Sequence, residues 1–128
     1  MMKKIIIDTN FLLLPSEFKV DIFTEIERLV PRDHKLYIID GTIAELHKII
    51  EGKNKSKDKL NAKIGLQLVE QKKIAKIESK GHVDDVIVDV ADKDTIVATS
   101  DKELRRRLRA KKIKLISLRK KQYLVYGE

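Results

Sequence analysis

Three consecutive β-branched residues, Ile5-Ile6-Ile7, followed at once by Asp8, restrict what this chain can fold into more than any other stretch. An apolar run without alternation is the habit of a strand covered on both faces, typically a central parallel strand. It leaves Asp8 at the carboxyl end, the edge where open α/β sheets bind ligands. A second run of the same kind, Thr95-Ile96-Val97-Ala98-Thr99, leads into Ser100-Asp101. In a parallel sheet both ends lie on one edge, so Asp8 and Asp101 can meet if their strands are neighbours. Capping of the following helices is the competing role for both.

Between the runs the pattern alternates. Phe11 to Pro15 reads as a short apolar link, and Ser16 with Glu17 starts a helix running to about Leu29, its buried face marked by Phe18, Ile22, Phe23, Ile26 and Leu29 before Pro31 stops it. Lys35 to Asp40 reads as a second buried strand. Gly41-Thr42 is then a turn with an N-cap for a helix from Ile43 to about Ile50, which puts Glu45 at the capping-box position. Residues 51–59 read as an exposed loop or a loosely held helix start, Leu60, Ile64 and Leu68 as an amphipathic helix, and residues 74–77 as a short edge-like strand.

Val83, Val86, Ile87 and Val90 trace a helix with Asp84 and Asp85 in its first turn, where the helix dipole favours negative charge. Leu104 and Leu108 anchor a basic helix, Ile113 to Leu118 forms a last strand, and Tyr123 to Tyr126 adds an extended tail. This order predicts a single domain over residues 1–128, a three-layer α/β/α sandwich around a mainly parallel sheet of about five strands.

With no cysteine in 128 residues, disulfides, thiolate zinc sites and cysteine nucleophiles are excluded together. No apolar run approaches the roughly 20 residues of a spanning helix, and no signal-peptide pattern precedes the first strand, so a cytoplasmic location without membrane contact is expected. His34, His47 and His82 lack ligand-like spacing, and no glycine-rich phosphate loop is present. The net charge of +8 is unevenly spread: residues 102–128 hold 11 basic and 2 acidic side chains, whereas residues 1–101 are close to neutral. A folded basic segment beside a neutral body points to a polyanion, RNA or DNA ahead of anionic lipid. Arg105, Arg106, Arg107 and Arg109 ring the basic helix and are the candidate contacts.

Asp8, Glu45 and Asp101 fall on the upper sheet edge, and Asp85 joins them only if its helix begins above the strand ends and runs back down, which is how a crossover helix behaves; four carboxylates would then converge there. They would repel one another unless a cation sat among them, and hard oxygen donors without histidine or cysteine suit Mg2+ or Mn2+. Carboxylate-held divalent ions are the usual apparatus for hydrolysing a phosphodiester.

Ile6-Ile7-Asp8-Thr9-Asn10, Thr42-Ile43-Ala44-Glu45-Leu46, Val83-Asp84-Asp85-Val86-Ile87 and Ile96 to Leu104, in that order, resemble a PIN-domain nuclease over essentially the whole chain. The resemblance implies a metal-dependent endoribonuclease with Asp8, Asp85 and Asp101 nearest the metal. Glu45 would bind the metal or position water, and Asn10 and Thr99 would be supporting polar residues. Asp84 and Asp85 both fit the third position; Asp85 is preferred because the apolar residues after it align better. Within the family the chain looks most like a small archaeal form of the branch that cuts precursor ribosomal RNA in small-subunit maturation. Toxins of toxin–antitoxin pairs, of similar size, are the alternative, as is an RNA- or protein-binding module with weak catalysis. A homodimer and an antitoxin or ribosome-assembly partner are implied only by this resemblance.

Overall fold

The computed structural model describes residues 2–127. β1 (Lys3–Ile7), β2 (His34–Ile39), β3 (Ala75–Ile77), β4 (Thr95–Ala98), β5 (Lys114–Arg119) and β6 (Tyr123–Gly127) form one sheet in the order β3-β2-β1-β4-β5-β6. Every pairing is parallel except β5 with β6. β1 is central, as its unbroken isoleucines predict: Ile5 and Ile7 are fully buried on one face and Ile6 on the other. Each such side chain contributes about 1.5–3 kcal/mol through burial.

Helices cover both faces. Ile5, Ile7, Ile96 and Ala98 share a core with Ile22 and Ile26 of α2 (Ile22–Leu29), Leu46 of α3 (Gly41–Glu51) and Ala62 and Val69 of α4 (Ser56–Gln71). Ile6 and Val97 pack with Val83, Val86 and Ile87 of α5 (Val83–Val90) and Leu104 and Leu108 of α6 (Lys102–Ala110). The three-layer, mainly parallel arrangement is therefore as expected, with one strand more. The tail beyond Tyr123 is a sixth strand, tied to α2 where Leu124 donates its N–H to Glu25 Oε1 (3.0 Å) and Arg28 Nη2 donates to the Leu124 carbonyl (2.9 Å).

Three local readings are corrected. The helix expected from Ser16 to Leu29 is two: α1 (Leu14–Phe18) ends at Lys19, which is left-handed at φ 57°, and Asp21 caps α2 by accepting from the N–H groups of Phe23 and Thr24. The apolar link before α1 is a 3-10 turn, Thr9–Leu13, that α4 approaches closely; a Cβ on Gly65 would lie 2.9 Å from the Leu12 carbonyl oxygen. The third concerns the capping box, which does not form. α3 already begins at Gly41, and Thr42 turns inward, fully buried, to bond Thr9. Among the described residues no helix is long and apolar enough to cross a membrane.

Candidate active site

The carboxyl ends of β1 and β4 are adjacent, with Ile7 in register with Ala98, and Asp8 donates its N–H to the Ala98 carbonyl (2.9 Å). Asp8 is 7% exposed and its carboxylate is held from three directions. Oδ1 accepts from the Thr9 N–H (2.9 Å), and Oδ2 accepts from the Thr99 hydroxyl (2.7 Å) and Asn10 Nδ2 (3.0 Å). Thr99 accepts in turn from the Asp101 N–H (3.1 Å), and Asn10 Oδ1 accepts from the Ser100 N–H (3.1 Å). Asn10 and Thr99 thus lace the two strand ends together around one carboxylate.

Burial pushes the Asp8 carboxyl above its ordinary range. The Thr99 and Thr9 hydrogen bonds pull it back, and the nearby charges of Glu45 and Asp101 push it up again. Glu45 and Asp101 are thus near enough to Asp8 for their charges to be felt there. Asp101 caps α6, its Oδ1 accepting from the Leu104 N–H (2.9 Å), and still lines the cavity. Capping therefore does not remove the Asp101 side chain from the cavity lining. Asp8 likewise caps the 3-10 turn.

Glu45 lies one turn into α3 and accepts from the Thr9 hydroxyl. That hydroxyl also bonds Thr42 Oγ1 (3.0 Å). A hydroxyl carries one hydrogen, so Thr9 gives its own to the carboxylate and Thr42 donates to Thr9. Glu45 is positioned by a buried threonine pair, with no capping duty competing for it.

Asp8, Asn10, Glu45, Asp84 and Asp101 line one open cavity of about 450 Å³, together with Thr9, Leu13, Lys48, Ile49 and Val83. Of the two candidate third acids, Asp84 faces this cavity. Asp85 lies on another side of α5, where it accepts from Arg107 Nη1 (2.8 Å). α5 reaches this edge because β3, parallel to β2, precedes it, so the helix starts above the strand ends. Lys48 is the one cation in the lining and was not singled out from sequence; its spacing of three from Glu45 on one helix was the available signal.

The basic set is divided. Arg106 is paired with Glu103 and Arg107 with Asp85. Arg105 is half-buried, and Arg109 lines a separate recess with Lys112 and Lys114. Among the described residues, no three acidic or histidine side chains stand close enough to hold an ion between them. The carboxylates of the lining, with no histidine or cysteine among them, and the open space of about 450 Å³ suit an ion kept by one or two carboxylates, with water completing its shell, as magnesium usually is.

Known proteins resemble this chain over nearly its whole length. A family described as PIN like domain matches residues 5–121. Ribonuclease VapC4 from Methanocaldococcus jannaschii is 30% identical over 130 residues, covering 98% of each chain. Among solved structures, the PIN domain endonuclease Utp24 superposes with a TM-score of 0.78 at 26% identity, covering 96% of this chain and 90% of that one. A domain of a functionally unknown protein from Methanocaldococcus jannaschii gives 0.59 at 18% identity, covering 91% of each, a likeness of fold.

Proposed function

Since the chain belongs to the PIN-like domain family, we propose that it is a metal-dependent endoribonuclease whose site is the acidic cavity above β1 and β4. The observation that carries this reading is Asp8: a buried carboxylate, fixed by three donors, made costly to ionise by burial and by Glu45 and Asp101. A protein retains such a charge where a cation relieves it. The full-length likeness to a ribonuclease supports RNA as substrate, and the likeness in fold to an endonuclease supports an internal cut.

One or two of Asp8, Asp84 and Asp101 would hold Mg2+ or Mn2+, with water completing its shell and Glu45 binding the ion or orienting one of those waters. Asp84 takes this place in preference to Asp85, whose carboxylate is engaged by Arg107. Bound there, the divalent ion would lower the pKa of water and neutralise charge on the phosphate. The chain's own residues do the positioning. Thr99 and Asn10 keep Asp8 in one orientation, the Thr9–Thr42 pair keeps Glu45 in another, and Lys48 offers a positive charge at the rim for the phosphate oxygens.

Cleavage of a structured RNA with Mg2+ or Mn2+ is expected, falling about 10²-fold or more in Asp8→Asn, with RNA binding retained. Unchanged cleavage in that variant would refute the carboxylate site. Maturation of ribosomal RNA is the role we favour. A toxin paired with an antitoxin would instead arrest growth when expressed alone, and a binding module would hold RNA in the wild type without cutting it.

A further inference from the structure

A second cleft, about 330 Å³, adjoins the acidic cavity, and Asn10 and Leu13 form the wall between them. It lies between α1 and the end of β5, with Phe18 on its apolar side and, on its polar side, Arg105, Ser117, Lys121 and one carboxylate, Glu17, which makes no hydrogen bond to Arg105. The four arginines of α6 differ here in a way their spacing hides. Arg106 and Arg107 already have carboxylates, and Arg109 opens into another recess. Arg105 has none: its Nε is buried without a hydrogen-bond partner, and the like charges of Arg109 and Arg119 add to the cost of burying it. A desolvated guanidinium N–H needs an acceptor, and none comes from the described residues.

The opposite wall is built at a cost of its own. Lys120 and Lys121 occupy consecutive left-handed conformations, both at φ 55°, in the three-residue loop between β5 and β6. Asn and Gly take such positions readily and lysine does not. That loop sets Lys121 Nζ 5.4 Å from the centre of the Phe18 ring, inside the cleft. A local rule broken beside a site is where a functional constraint is expected.

We propose that this cleft is a subsite for the substrate strand, in which Arg105 and Lys121 bind an RNA phosphate neighbouring the one above the acids. The wall shared through Asn10 makes the two spaces one path, and a paired cation beside an aromatic and aliphatic wall matches a nucleotide, charged at the phosphate and flat at the base. The subsite rests on the ribonuclease reading for the identity of its strand.

Binding of a single-stranded RNA oligonucleotide, measured by fluorescence anisotropy with divalent ions chelated, tests it without cleavage. Arg105→Gln is expected to weaken binding about tenfold and to lower the log–log salt slope by about 0.7, one phosphate contact. Arg105→Lys should recover part of the loss. The double variant Lys120→Asn/Lys121→Gly should raise Tm while weakening binding, which misfolding cannot imitate. Lys93→Gln, at the opposite end of the sheet, should change nothing. Wild-type affinity and slope in both Arg105→Gln and the double variant would overturn the subsite, as would tighter binding of the same oligonucleotide made as DNA. Arg105-dependent binding by a wild type that fails to cut RNA whichever divalent ion is supplied would sink the nuclease reading and leave the subsite standing. Cleavage without Arg105-dependent binding would do the reverse.

Discussion

Thr99 serves two residues with one hydroxyl, donating to Asp8 and accepting from the Asp101 N–H, and it is fully buried. Replacing it with valine keeps the shape and removes both bonds, leaving a buried carboxylate short of a donor. The expected loss is about 1–3 kcal/mol, read by denaturant unfolding, and the Asp8 carboxyl should move further up, carrying the acid limb of the pH–rate profile with it. Asp84 is the opposite kind of residue. It is exposed, and its side chain makes no hydrogen bond or ion pair among the described residues. Asp84→Asn should therefore lower cleavage about 10²-fold with no change in Tm, whereas Asp101→Ala should lose activity and also about 1 kcal/mol of helix cap. Equal thermal losses in the two would mean that Asp84 has a structural role. Sequence could place Asp8 and Asp101, because each follows a run that only a buried strand explains. Between Asp84 and Asp85 it preferred Asp85, whereas Asp84 is the one that lines the cavity: both sit in the first turn of α5 and differ only in the side of the helix they occupy.

The elements were legible to the extent that burial wrote them. β1 and β4 are continuous apolar runs and appear where expected, and the basic helix keeps Leu104 and Leu108 inward. The break between α1 and α2 was hidden because Phe18, Ile22 and Ile26 hold helical spacing across it, and a lysine in a left-handed conformation leaves no sequence signal. The start of α3 was misjudged for a related reason: Thr42 has the chemistry of a cap, yet tertiary contact with Thr9 claims its hydroxyl. Close approach of α4 to the 3-10 turn is likewise invisible until the fold is known. Gly65→Ala would press a methyl against the Leu12 backbone, which a flexible side chain cannot relieve. The expected cost is about 1–3 kcal/mol by chemical denaturation. Because Asn10 lies on that turn, RNA cleavage should fall as well; stability equal to wild type would show that α4 can move away.

Over the whole molecule, the charges at the two strand ends make stability depend on pH and on ions together. Asp8 is raised in the folded state, so the native form binds more protons than the unfolded one. Its contribution is fully present below the unfolded carboxylate pKa and is lost as pH rises through the higher folded value. Asp21 and Glu25, lowered by hydrogen bonds from Thr24 and Arg28 first of all, act in the opposite sense and lose their contribution as pH falls. The difference between wild type and Asp8→Asn isolates the first effect. Ion binding to the ionised carboxylate releases a proton. The rise in Tm on adding Mn2+ should therefore grow with pH in the wild type and be flat or absent in Asp8→Asn; a pH-independent rise in both would place the ion elsewhere. If Asp8 and Asp101 serve the proposed site as well as capping, that double duty reaches beyond this chain. A copy that had ceased to cut RNA would still need an oxygen at position 8 to turn the chain out of β1 and another at position 101 to begin α6, so both would outlive the activity. Among the described residues no hydrogen bond or ion pair holds the Asp84 side chain, and only the helix dipole favours an acid there, so on the proposed reading its loss is the mark by which a silent relative would be recognised.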